Sequence, residues 1–210
     1  MNQSKLSPEV EVLTTAQQAA VRVAEIIAEV VSKNPNAVLG LATGGTPVEV
    51  YRELIRLHRE EGLDFSRVTT FNLDEYVGLA PEDPRSFRAF MDVHLFGPVG
   101  FDRTQTHFPD AERAATEPLV AARSYEDAIA AAGGIDLQLL GLGRNGHIAF
   151  NEPGSARSSR TRVVDLDETT RSDAASAFGE LEHVPDRAIT VGVATILESR
   201  KVRLIALGEH

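Results

Sequence analysis

The chain of 210 residues contains no cysteine. Disulfides, thiolate catalysis and cysteine-ligated zinc are therefore excluded, and the composition suits a reducing compartment, so a cytoplasmic location is expected. Long apolar runs are also missing: none approaches the roughly 20 residues that span a bilayer, and Met1 to Glu11 lacks the apolar core of a signal peptide. Basic residues are in short supply, with 21 Lys and Arg against 31 Asp and Glu and a formal net charge of −10. That balance argues against charge-driven binding to nucleic acid or to acidic membranes. An anionic small molecule stays compatible, because a local cluster of backbone N–H groups can overrule the global field. There is no internal repeat, low-complexity tract or linker to divide the chain, so a single domain over 1–210 is expected.

What is present is an alternation of strand-like apolar runs with longer stretches of helical spacing. After a short segment near Val10 to Leu13, Thr14 or Thr15 can cap a helix to about Lys33, with Val21, Ile26, Ile27, Val30 and Val31 as its apolar stripe. Strands are expected at Ala37–Ala42, Val68–Leu73, Ile135–Leu140 and Val202–Leu207, with a brief one at Thr106–Phe108. Helices are expected from Pro47 to about Glu61, from a cap at Ser86 through Phe96, from about Glu117 to Ala132 before Gly133-Gly134, and from Ala188 to Glu198. This pattern implies an α/β, Rossmann-like fold: a mostly parallel sheet with helices on both faces. In such sheets ligands sit beyond the carboxyl ends of the strands, so the loops there deserve close reading.

Three of those loops carry chemistry. Thr43-Gly44-Gly45-Thr46 leads from a buried strand into Pro47, and it reads either as a phosphate cradle or as an ordinary tight turn that needs glycine. Asp74 follows the strand ending at Leu73 and is either a proton-abstracting carboxylate or a turn cap. The stretch Gly141 to Gly154 gathers glycines with Asn145, His147 and Glu152. There His147 could shuttle protons, oriented by Asn145 or Glu152, or be a structural histidine. The histidines show no ligand spacing, so neither a metal site nor a cofactor is expected.

Together, Leu41-Ala42-Thr43-Gly44-Gly45-Thr46-Pro47, Asn72-Leu73-Asp74-Glu75-Tyr76-Val77-Gly78-Leu79 and Gly146-His147-Ile148-Ala149-Phe150-Asn151-Glu152-Pro153-Gly154 closely resemble the glucosamine-6-phosphate deaminase family. The likeness extends to Ser86–Met91 and Ser159–Arg162, in order, over most of the chain. The resemblance implies an enzyme of amino sugar catabolism, classed as an isomerising hydrolase of a C–N bond. Its partner would be a sugar phosphate, held through Thr43, Gly44, Gly45 and Thr46. His147, with Asn145 and Glu152, would assist pyranose opening. Asp74 would move the C2 proton to C1 through an enolamine, and hydrolysis of the C2 imine would give fructose 6-phosphate and ammonia. Self-association into a homo-oligomer is compatible with the sequence.

Some positions depart from the family. Asn145 stands where some members have aspartate. Ser176 occupies the place of a phosphate-binding arginine, for which Arg171 is a candidate substitute. A phosphate-binding lysine follows the segment matching Leu207–His210 in relatives, so the chain is expected to lack a C-terminal portion and to be poorly active. Val164 replaces a lysine of the family's activator site, so no activation by N-acetylglucosamine 6-phosphate is expected. Two alternatives remain: a 6-phosphogluconolactonase-like hydrolase, disfavoured by Tyr76 after Glu75, and a non-catalytic sugar-phosphate sensor.

Overall fold

The computed structural model describes residues 9–208. Helix α1 (Ala16–Lys33) starts where Thr15 accepts a hydrogen bond from the Gln18 amide and ends at Asn34. It buries Ala20, Val23, Ala24, Ile27 and Val31 on one stripe, as a surface helix over a core must. Strands β1 (Val38–Leu41) and β2 (Thr69–Asn72) flank helix α2 (Gly45–Glu61) in sequence and pair in parallel. A third strand, β3 (Asp74–Tyr76), is separated from β2 by Leu73 alone.

Ser86 caps α3 (Phe87–Met91) by accepting from the Ala89 amide, as its sequence position predicts. The expected helix to Phe96 is present, and the helical run continues without a break to Val99. A π-helical turn, Asp92–Phe96, widens it, and α4 (Gly97–Val99) closes it. Next come β4 (Thr106–His107), α5 (Ala111–Thr116), α6 (Pro118–Ala131), β5 (Leu137–Gly141), β6 (Arg162–Asp165), α7 (Glu168–Phe178), β7 (Arg187–Thr190), α8 (Val193–Leu197) and β8 (Val202–Ile205).

Five strands form a parallel sheet in the order β4-β2-β1-β5-β8. Alternate residues of its strands serve opposite faces. Leu39, Leu41, Leu137 and Leu139 meet α1 and α2 on one side. Val38, Phe71 and Leu140 meet Tyr125 and Ile129 of α6 and Ile196 of α8 on the other. The expected Rossmann-like layering is therefore present.

A second, antiparallel sheet, β3-β7-β6, was not anticipated. The sequence pattern places Asp74–Tyr76 in a loop and Ala188–Glu198 in one helix. The second expectation is corrected by β7. Ala188, Ile189 and Thr190 are fully buried and pair with β3 and β6, and only Val193–Leu197 is helical. A short apolar run does not by itself separate strand from buried helix, and the β-branched Ile189 and Thr190 tip it to strand here.

If β7 is a central strand, Ile189→Ala should lower unfolding free energy by about 2–4 kcal/mol. Leu119→Ala, at a helix position 84% exposed, should change it by less than about 0.5 kcal/mol. Urea denaturation followed by circular dichroism reads both.

Candidate functional site

The carboxyl ends of the parallel strands open into a cavity of about 750 Å³. Its walls include Thr43, Gly44, Gly45 and Thr46 after β1, Asp74 on β3, and His147 in the loop after β5. The structure thus brings the three sequence-predicted loops around one space. Residues 84–87, 89–90 and 93–94 add a wall from the α3 region, and α7 adds Thr170, Asp173, Ala174, Ala177 and Phe178.

Gly44 sits at φ 100° and ψ 179°, a conformation open to glycine and strained for other residues. It turns the chain directly into the first turn of α2, where no side chain caps the helix. The first amides of an uncapped helix lack internal partners and carry the positive end of its dipole. At a cavity wall, that suits an anion.

Asp74 is 6% exposed and aligned opposite Thr190 of β7. The turn-cap reading fails, because its carboxylate accepts no hydrogen bond from backbone or side chain among the described residues. Burial, and secondarily the neighbouring Glu75, push its carboxyl up to about 8. A buried carboxyl with an affinity for protons near neutrality, facing a cavity, can both take and return a proton. Burial likewise pushes Glu75 up to about 7, against the opposing effect of backbone amides that it caps.

His147 is held by an over-determined network. Its Nδ1 lies 2.7 Å from Asn145 Oδ1, which also accepts from the His147 amide at 3.1 Å. Asn145 Nδ2 donates to Glu152 Oε2 at 2.7 Å. Two donors on one side of the amide and a carboxylate on the other fix its orientation, so Nδ1 carries the ring proton and Nε2 is left for the cavity. Asn145 and Glu152 stand behind the imidazole and are not themselves cavity walls. Gly143 lies so close beneath the ring that a Cβ there would come within 2.2 Å of it. The loop is anchored below by the buried Asn151, which donates to the carbonyls of Ile148 and Val191.

Thr170 was missed by sequence reasoning. Its hydroxyl donates to Glu152 Oε1 at 2.5 Å and lies 3.4 Å from His147 Nδ1, which links α7 to the imidazole network. The whole of β6 and α7 was missed with it. One local signal was available: Asp167 accepts from the Thr169 amide as the helix cap.

The proposed cation substitution is corrected. Arg171 donates to the carbonyls of Leu181 and Val184 and is not a cavity wall. Ser176 is exposed and also outside the walls. Arg85 does line the cavity, paired with Asp83 at 2.6 Å and with its guanidinium 5.4 Å from the Phe178 ring centre.

The raised Asp74 carboxyl has a stability consequence. Its folded value lies above the unfolded one of 3.8, so between these values the folded state holds more protons. Stability is then lost as pH rises through the folded value. Asp74→Asn removes this loss, so the melting temperature of the variant should exceed that of the wild type by a margin that widens from pH 5 to pH 9. Thermal melts across that range read it.

Comparison with known proteins identifies the family. The family model for glucosamine-6-phosphate isomerases and 6-phosphogluconolactonases matches residues 12–210. A glucosamine-6-phosphate deaminase of Rhodopirellula baltica is 53% identical over 96% of this chain and 79% of its own length. One from Giardia intestinalis is 54% identical over 92% of this chain and 73% of its own length. A solved monomeric glucosamine-6-phosphate deaminase superposes with a TM-score of 0.88 at 43% identity, covering 91% of this chain and 79% of the other. The 6-phosphogluconolactonase of Trypanosoma brucei, at 22% identity and a TM-score of 0.74 over 96% of this chain and 82% of its own, shares the fold. The chain belongs to the glucosamine-6-phosphate isomerase/6-phosphogluconolactonase family.

Proposed function

We propose that this enzyme converts glucosamine 6-phosphate to fructose 6-phosphate and ammonia by an isomerising deamination, with all of 1–210 contributing to one catalytic unit. The single observation that carries the site assignment is that Asp74, His147 and the Gly44–Gly45 turn all line one cavity. The relatives that share about half its residues bear the deaminase name. Its likeness to the lactonase is one of fold alone. Placing the reaction in the cytoplasm rests on composition alone.

The division of labour follows from the geometry. The sugar phosphate enters with its phosphate on the free amides at Thr43–Thr46 and the start of α2. His147 Nε2 accepts the proton of the anomeric hydroxyl and returns one to the ring oxygen. Nδ1 stays bonded to Asn145, and Glu152 balances the transient imidazolium through the amide. In the open aldehyde, the C2 proton is acidified by the carbonyl. Asp74 removes it, the C2–H electrons form the C1–C2 double bond as the carbonyl pair moves to O1, and O1 takes a proton from water to give an enolamine. The same carboxyl returns a proton to C1, leaving a ketimine at C2 that water hydrolyses to ketone and ammonia. A single buried carboxyl serves both carbons because they are adjacent, so no second group has to be placed. Desolvation favours this role, since it makes the carboxylate a stronger base.

Two variants test the reading through ammonia release. Asp74→Asn should lower kcat by about 1000-fold or more while substrate binding, read by calorimetry, survives. Retained turnover would remove Asp74 from the mechanism. Gly143→Ala should lower kcat by about 100-fold by displacing the anchored imidazole, with the melting temperature little changed. Wild-type kcat in that variant would contradict the assigned ring position.

A further inference from the structure

Glu75 is a buried carboxylate that the mechanism above does not use. It is 4% exposed and makes no ion pair among the described residues. Its Oε1 accepts from the Tyr76 amide at 2.9 Å and its Oε2 from the Arg88 amide at 3.1 Å, with the Phe87 amide as a further donor. The Arg88 guanidinium turns elsewhere, donating to the Thr106 carbonyl and lying 4.3 Å from the Phe108 ring centre. A buried, unpaired carboxylate is costly to retain, and a neutral side chain could satisfy one of these amides without its charge.

The position of Glu75 suggests what the charge does. It is next to Asp74 on β3, and successive residues of a strand point to opposite faces. Asp74 lines the cavity, while Glu75 reaches behind it to the first turn of α3, whose flank (Ser86, Phe87, Phe90) forms a cavity wall. Resting on the reading of Asp74 as the base, we propose that Glu75 is a positioning residue for the deamination: its carboxylate ties α3 to β3, and its charge strengthens Asp74 as a base.

Several groups surround this pair. Tyr76 follows on β3, Arg88 comes from α3, and Tyr125 comes from α6, its hydroxyl fixed on the Asn72 carbonyl at 2.6 Å. Arg85, His94, His147 and Asp173 line the same cavity as Asp74, and β7 opposes Asp74 with the uncharged Thr190. Arg88 is partly desolvated and engaged with Thr106, and Arg85 is paired with Asp83. Glu75 is the charged residue adjacent to Asp74 on β3, and its charge raises the Asp74 carboxyl.

The test is the pH profile of kcat/KM for ammonia release between pH 5.5 and 9. In Glu75→Gln the acid limb should move to lower pH, and the high-pH plateau should fall roughly three- to tenfold as the base weakens. Ser86→Ala, which loosens the α3 cap without touching a charge, should leave the limb in place. An unmoved limb in Glu75→Gln, with only KM or thermal stability altered, would overturn the proposal. If Glu75→Gln does not fold, the reciprocal measurement decides it. The Glu75 carboxyl, followed by carbon NMR, should titrate at lower pH in Asp74→Asn than in the wild type, because coupling between the two groups is mutual. An unchanged midpoint would overturn it equally. Wild-type turnover in Asp74→Asn would instead remove the base assignment itself, so the two failures are distinguishable.

Discussion

The arrangement of the site depends on one crossing of the backbone at Leu73. Its amide donates to the Leu41 carbonyl, which continues the parallel ladder, while its own carbonyl accepts from the Val191 amide, which opens the antiparallel sheet. A single residue therefore belongs to both sheets. That junction brings β3 to the carboxyl end of β1, beside the turn at Gly44. Because Leu73 is buried against Phe71 and Val191, the junction cannot slip without opening the core. Sliding β3 by one residue would turn Asp74 away from the cavity and bring Glu75 in.

The second sheet positions the rest. Tyr76 packs its ring 4.9 Å from Phe87, 5.3 Å from Phe150 and 5.2 Å from Phe178, so one aromatic cluster joins β3, α3, the His147 loop and α7. This apolar floor explains two electrostatic features at once. It withdraws Asp74 from water, which makes the carboxyl a strong base at a cost in stability. It also leaves the His147 network in a region where each donor must find its acceptor, as Asn145, Glu152 and Thr170 do. Function is concentrated where the chain gives up stability.

Much of the parallel layer was legible in the sequence because its signals are local. Thr15 and Ser86 cap as their spacing implies, Gly133 and Gly134 end α6 with positive φ, and the buried strands read as apolar runs. The residues of the three loops were legible for the same reason, since each follows such a run. The antiparallel sheet was not legible. β3 is three residues long, and its polar Asp74 and Glu75 are buried by tertiary contact rather than by pattern. Helix α7 buries only Thr170 and Phe178, so it has no apolar stripe to betray it. Arg171 looked like a spare cation in sequence, and only the fold shows that its hydrogen bonds go to the turn at 181–184.

The account reduces to a claim about one ligand pose, and a crystal structure with the open-chain alditol of glucosamine 6-phosphate tests it most directly. The claim predicts C1 and C2 within about 3.5 Å of the Asp74 carboxylate, O5 beside His147 Nε2, and the phosphate on the amides at Gly44 and Gly45. A ligand whose C2 lies away from Asp74, or whose phosphate sits elsewhere than this turn, would contradict it.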